Sequence, residues 1–313
     1  MARLTHKGGR KAVKAIAPKA RARRPAYVMK PEYLVLVENF RLMDDTFMSK
    51  CLEHAIESIE LILQIILGKN DLKVVKSQTE YPIKNLQGRG VRFDVFARDS
   101  EGREYDIEIQ RADHGAEPKR ARYNSALMDA NALKSGEDFG MLRDTYVIFI
   151  TENDVMGRGQ GMYVFDRMDR MSGLDFGDGA HVVYVNGTWR GNDALGWLMH
   201  DFNCRDASEM HFEVLRKQVS QFKNSEEGRQ IMCKAVEEYA ERRAAESKAE
   251  GIAEGIAEGI AEGERKGKRE GKRETMLATA RRMLESGMLA LKDIARFSGL
   301  SLAQVKKLQA SMA

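Results

Sequence analysis

The chain has 313 residues, of which 43% are hydrophobic and 31% charged, with a formal net charge of +4. That hydrophobic content excludes a wholly disordered protein, and the length has room for one sizeable domain with appendages or for two small domains. Cys51, Cys204 and Cys233 are too few and too scattered for a disulfide framework or a zinc site, no apolar run approaches the roughly 18 residues of a membrane helix, and the amino terminus lacks the apolar segment of a signal peptide. The expectation is a soluble cytoplasmic protein with no membrane partner; a bacterial type associated with the nucleoid fits the same numbers.

Residues 1–27 hold Arg3, Lys7, Arg10, Lys11, Lys14, Lys19, Arg21, Arg23 and Arg24 and no acidic residue. Such a run repels itself and cannot build a core, so a disordered tail is expected. Its positive field can hold a nucleic-acid backbone by releasing counterions, or the tail can simply be solvated.

Residues 28–240 read as one α/β domain. From Asp44 to Leu67 the pattern is helical, with Asp44, Asp45 and Thr46 as capping residues and Met48, Leu52, Ile56, Ile59, Leu63 and Ile66 on one stripe. On that helix Glu60 lies about 80° from the centre of the stripe, Glu53 about 100° and Glu57 about 140°. Glu60 is therefore the acid best placed to reach a site at a sheet edge, unless it is an ordinary boundary glutamate; Glu53 is the alternative.

A short strand near Leu72–Val75 and a polar connection through Tyr81 and Lys84 lead to two alternating stretches, Val91–Ala97 and Tyr105–Arg111, joined by a polar turn. Alternation is the mark of half-buried strands, and the turn makes them a hairpin. Glu108 and Gln110 then share one face, opposite Ile107 and Ile109, and Asp94 stands beside Glu108 on the neighbouring strand. Two carboxylates side by side on a rigid sheet are costly unless a cation lies between them, which points to a hard metal ion: Mg²⁺, with Mn²⁺ as the alternative. The backbone carbonyl of Ile109 can add an oxygen ligand from the same strand position. Gln110 projects beside Glu108; its amide can position a water or touch a phosphate but cannot act as a base.

Glu117–Leu133 reads as a second helix, on which Lys119, Arg120, Arg122 and Tyr123 are candidates to hold a nucleic-acid backbone. Thr145–Thr151 is apolar and β-branched, as a buried central strand would be, and His181–Val185 is a further strand. The order α-β-β-β-α-β gives a mixed sheet flanked by helices. No organic small-molecule cofactor is expected.

Residues 241–275 are low in complexity: Ala-Glu-Gly-Ile recurs around Ile252, Ile256 and Ile260, and a basic block runs from Arg265 to Arg273. A period of four drifts about 40° per repeat against an ideal helix, and each glycine costs a helix roughly 1 kcal/mol against alanine, so a partly helical linker that can assemble copies of the chain is expected. In residues 276–313, short helices at Met276–Leu284, Leu291–Ala295 and Leu302–Leu308, with a Gly299-Leu300-Ser301 turn, form a small module like a helix-turn-helix or any other helical hairpin.

The run Arg92-Phe93-Asp94, Glu108-Ile109-Gln110-Arg111 and Lys119-Arg120-Ala121-Arg122-Tyr123 resembles the PD-(D/E)XK nuclease family transposases, relatives of the recombination-promoting nucleases of the Rpn type. Asp44-Asp45-Thr46-Phe47 upstream and Tyr146 to Asp154 downstream fit the same pattern, so the resemblance covers about residues 35–240. It implies a restriction-endonuclease-like fold and Mg²⁺-dependent hydrolysis of DNA phosphodiesters, with Asp94 and Glu108 as metal ligands and Gln110 at the position of the motif's lysine. Many members have lysine there, whose ammonium stabilises developing negative charge; glutamine donates only a neutral hydrogen bond. A DNA endonuclease serving transposition or recombination is the first reading. Its alternatives are a weakly catalytic DNA-binding or regulatory protein on the same fold, and an interaction protein assembled through the repeat as a homo-oligomer.

Overall fold

The structure is a computed structural model and describes residues 27–85, 88–111 and 115–312. The expected disordered tail, apart from Tyr27, lies outside the described residues. The chain divides into two units, residues 1–236 and 237–313.

In the first unit α1 (Pro31–Asn39), α2 (Asp45–Leu52) and α3 (Ile56–Leu67) lead into β1 (Val74–Ile83), β2 (Val91–Asp99) and β3 (Glu104–Gln110). Then come α4 (Pro118–Ala132), β4 (Thr145–Thr151), β5 (Met162–Phe165), β6 (Ala180–Asn186), α5 (Ala194–Asn203) and α6 (Glu213–Asn224). Among the described residues the strands make one six-stranded sheet in the order β1-β2-β3-β4-β6-β5. β1, β2 and β3 run antiparallel, β3, β4 and β6 parallel, and β5 returns antiparallel to β6. All seven residues of β4 are buried, as its apolar composition requires of a central strand covered on both faces.

One core layer joins Val95, Ala97, Ile107, Ile109, Ile148 and Ile150 on the sheet to Phe47, Met48, Ile59, Leu63, Phe202 and Leu215 on the helices. The opposite face carries Phe96, Val147, Phe149 and Tyr184 and is covered by α4 through Ala121, Leu127 and Met128. This is a mixed sheet flanked by helices, as the element order implies.

Two boundaries differ from expectation. The helical pattern of residues 44–67 is two helices, because His54 adopts a left-handed φ of 64° and breaks the ladder. Ile56, expected in the apolar stripe, is consequently 40% exposed, while Met48, Leu52, Ile59, Leu63 and Ile66 are buried. β1 extends through Tyr81 to Ile83, a stretch expected as a connection, because it is an edge strand whose outward residues are free to be polar.

In the second unit the helix α7 (Glu226–Ser286), which begins in the first, runs through the glycine repeat and the basic block without a break. Ile252, Ile256 and Ile260 are 55–60% exposed along it. Its last turns pack through Met276, Ala280 and Leu284 on α8 (Leu291–Ser298) and α9 (Leu302–Ala310) around Ile294, Leu300 and Val305. Gly299 ends α8 in the left-handed region, and Ser301 with Gln304 caps α9 reciprocally. No helix among the described residues is long and apolar enough to cross a membrane.

Candidate active site

β2 and β3 form the ladder Arg98–Glu104, Ala97–Tyr105, Phe96–Asp106 and Val95–Ile107. The next step outward sets Asp94 opposite Glu108, and there the side chain replaces the ladder: Asp94 Oδ2 accepts the Ile109 N–H at 2.8 Å. An N–H and C=O of one strand residue point the same way, so the Ile109 carbonyl is also directed to the β2 side. The next carbonyl, Gln110, accepts the Glu152 N–H at 2.9 Å from beyond β4.

The period of two carries a third acid to the same face. Asp106 and Glu108 both lie fully buried beneath α4. Asn124 of α4 donates to Asp106 Oδ2 at 2.8 Å and Glu108 Oε1 at 3.4 Å, and Arg120 donates through Nη2 to Glu108 Oε2. Gln110 Nε2 reaches that same Oε2 at 3.4 Å. Gly115, at φ 116°, lets the chain turn here, and a Cβ on it would meet the Gln110 amide oxygen at 2.5 Å.

Burial raises the Asp94 carboxyl well above the carboxylate range, and the charge of Glu108 raises it further, against the hydrogen bond from Ile109. Burial likewise drives Asp106 well up, again reinforced by Glu108, and raises Glu108 against the pull of Arg120. Asp106 Oδ1 is buried without a hydrogen-bond partner. Among the described residues, Arg120 is the one guanidinium hydrogen-bonded to this group of three carboxyls, and it is bonded through Glu108. An unsatisfied buried oxygen and uncompensated acids of this kind fit an oxygen-liganded divalent cation.

A fourth acid reaches the group from α2. Arg111 and Arg41, just after β3 and just before α2, link Asp44 and Glu152: Arg111 lies 2.8 Å from Asp44 and 3.4 Å from Glu152, and Arg41 lies 2.8 Å from Glu152. The network fixes the start of α2 against the ends of β3 and β4, and the charge of Asp45 bears on both Asp94 and Glu108.

Asp45, and not Glu60, is the helix acid whose charge bears on Asp94 and Glu108. Glu60 instead accepts the Val74 N–H at 3.0 Å and pairs with Lys73 at 2.8 Å. Val74 is registered with Asp99, five residues along β2 from Asp94, or roughly 17 Å at strand rise. Glu60 thus belongs to the other end of the hairpin. Glu53 pairs with Lys50 just beyond the end of α2 opposite Asp45. Helical angle alone misassigned the acid, because the break at His54 separates the stripe from the turn that meets the sheet.

The four residues expected on nucleic acid do not share a face. Arg120 points inward to Glu108. Tyr123 donates its hydroxyl to the Arg89 carbonyl at 2.5 Å and accepts from Asn85 at 3.1 Å, tying α4 to the β1–β2 loop. Lys119 and Arg122 are exposed, Arg122 beside a cavity of about 350 Å³ floored by Val182 and Tyr184. The β1–β2 loop lies at the Asp94 end of β2 and carries exposed Lys84 and Arg89. Asp106, Asn124 and Asp45 were missed from sequence; alternation could have given Asp106, while the helix residues arrive through tertiary packing.

Residues 56–186 match the family model of the PD-(D/E)XK nuclease family transposases. No curated protein and no solved structure matches the chain. The PD-(D/E)XK match takes in Asp94, Asp106, Glu108, Gln110, Arg120 and Asn124, and Asp45 lies ahead of it.

Beyond it lies a second group with ligand chemistry. His200, Asp201 and His211 bring one ligand atom each within 4.8 Å of one another. There Asp201 accepts the His211 and Phe212 N–H groups at 2.8 and 2.9 Å and so holds the chain after α5. Its nitrogen donors suit a transition metal, whereas the all-oxygen end of the hairpin suits Mg²⁺.

Proposed function

We propose that the domain is a divalent-metal-dependent DNA endonuclease that hydrolyses phosphodiester bonds. One observation carries this reading: Asp94, Asp106 and Glu108 converge at the opened end of a hairpin, where among the described residues one guanidinium, that of Arg120, bonds to the group. The family match over the same residues supports it.

Asp94, Glu108 and the Ile109 carbonyl would hold Mg²⁺ or Mn²⁺, which when bound supplies charge neutralisation at a phosphoryl oxygen and acidifies a water. The remaining work falls to the chain. Asn124, donating to Asp106 and Glu108 together, keeps both acids in the orientation the sheet gives them. The Gln110 amide, with no charge to offer, orients the attacking water or a phosphate oxygen. In the net reaction a water oxygen bonds to phosphorus and the bond from phosphorus to one sugar oxygen breaks. The water's proton passes to solvent and the leaving oxygen takes one up, giving a phosphate end and a hydroxyl end. Lys84, Arg89 and Lys119, exposed around the Asp94 end of the hairpin and the start of α4, suit contacts to neighbouring phosphates.

The test is nicking of supercoiled plasmid with Mg²⁺ and with chelator, by the parent chain, Asp94→Ala and Glu108→Ala. The reading expects metal-dependent nicking that both substitutions remove while DNA binding survives. Equal traces of cutting by all three proteins would refute it.

A further inference from the structure

The neutral Gln110 leaves the reaction without the cation that lysine provides at this position in many related nucleases. Resting on the nuclease reading, we propose that Arg120 supplies that charge and contacts the scissile phosphate, so that the cationic group of the site comes from α4 and not from β3.

Four observations converge on Arg120. Its Nη2 donates to Glu108 Oε2, the oxygen that Gln110 Nε2 also reaches at 3.4 Å, so the guanidinium fills the space into which the side chain at position 110 projects. Its Nη1 is tethered to the Gly115 carbonyl at 2.8 Å, and its Cζ lies 5.7 Å from the centre of the Phe149 ring. The head is thus fixed from two sides. About a third of the side chain, 35%, remains exposed, whereas Glu108 beneath it is fully buried. A guanidinium has five N–H donors and these contacts engage two, which leaves donors on the solvent side with the fork geometry that matches phosphate oxygens.

The sequence of elements explains how the charge could migrate. β3 and α4 are joined by a short loop that turns at Gly115, and Pro118 starts the helix, so the first turn of α4 returns directly over Glu108. A long side chain on that turn reaches the position that a lysine on the strand would reach. A cation held by Asp94 and Glu108 would compete with Arg120 for Glu108 Oε2. The tether to Gly115 keeps the released guanidinium beside the acid, and a phosphate oxygen becomes its next partner.

The experiment compares the parent, Arg120→Ala, Arg120→Lys, Gln110→Lys and the Arg120→Ala/Gln110→Lys double variant in plasmid nicking, with calorimetric Mg²⁺ binding and thermal unfolding on each. Losing one preorganised donor at a developing charge costs about 10²–10³-fold in rate, so Arg120→Ala falls by that factor and Arg120→Lys by less. Returning the charge through Gln110→Lys recovers at least tenfold in the Arg120→Ala background. Mg²⁺ binding by Arg120→Ala is as tight as in the parent or tighter, because a competing positive charge has gone. Undiminished cutting by Arg120→Ala, absence of rescue in a folded double variant, or weakened Mg²⁺ binding by Arg120→Ala would each overturn the assignment, the last by making Arg120 a brace for Glu108. A parent chain that cuts nothing with either Mg²⁺ or Mn²⁺ would instead remove the nuclease reading on which the assignment rests.

Discussion

The two ends of the β2–β3 hairpin each bury an aspartate, and they treat it in opposite ways. At the turn, Asp99 is fully buried but accepts from the backbone N–H groups of Glu101 and Arg103, from Arg103 Nε at 2.6 Å and from the Tyr105 hydroxyl at 2.7 Å. Burial pushes its carboxyl up, yet the hydrogen bonds from Tyr105 and Arg103 outweigh that and hold it below the usual range. At the open end Asp94, Asp106 and Glu108 are all driven upward, and Asp106 keeps an oxygen with no partner. One end is an electrostatically closed unit that holds the turn. The other stores repulsion that a cation would relieve, and buried charge left uncompensated on a rigid scaffold is the physical signature of a site.

The comparison breaks most visibly if the open end is dispensable. Asp94→Ala or Glu108→Ala is expected to lower nicking by about 10³-fold, roughly 4 kcal/mol of barrier, without lowering the unfolding midpoint in chelator. A midpoint that falls as far as the activity would make these acids structural.

The closed end should behave in reverse. Asp99→Ala leaves the Arg103 and Tyr105 donors unpaired and is expected to cost about 3 kcal/mol in urea unfolding, with nicking per folded molecule retained. Because the folded carboxyl lies below its unfolded value, its contribution is full at neutral pH and is lost as pH falls below about 4 through the folded pKa.

A smaller effect of opposite sign is expected from Asp106→Asn. Raised carboxyls give a stability that is present below their unfolded pKa, about 4, and lost as pH rises towards neutrality. The variant should therefore unfold later than the parent at pH 7 in chelator, by on the order of 1 kcal/mol, and the gap should close on acidification and on addition of Mg²⁺. An unchanged gap from pH 4 to pH 7 would show that Asp106 carries no repulsive charge. Smallest of all is Glu60→Gln, where nicking should stay within about twofold, since its partners are Lys73 and the start of β1. A large loss of cutting would return Glu60 to the site.

How much of this was legible in the sequence follows from the range of each interaction. The alternation of Val91–Ala97 and Tyr105–Arg111 is local, and by itself it sets Asp94 beside Glu108. The apolar run Thr145–Thr151 gave the central strand for the same reason. The break at His54 left no trace in the apolar stripe, because a single left-handed residue changes direction without changing composition. The tail of β1 was hidden because an edge strand can carry polar residues outward. α5 and α6, which bring Phe202 and Leu215 into the core, are absent from the expected elements. In the sequence Arg120 is one of several basic residues on a helix, with nothing local to link it to Glu108. Only the return of α4 over β3 turns it towards Glu108, and that packing is written in no local pattern.

The most direct test is the anomalous signal of Mn²⁺ soaked into crystals of the full chain. The account predicts an ion on Asp94, Glu108 and the Ile109 carbonyl, with Arg120 Nη2 no longer on Glu108 Oε2. Mn²⁺ bound only at His200, Asp201 and His211, with the Arg120–Glu108 pair intact, would contradict it.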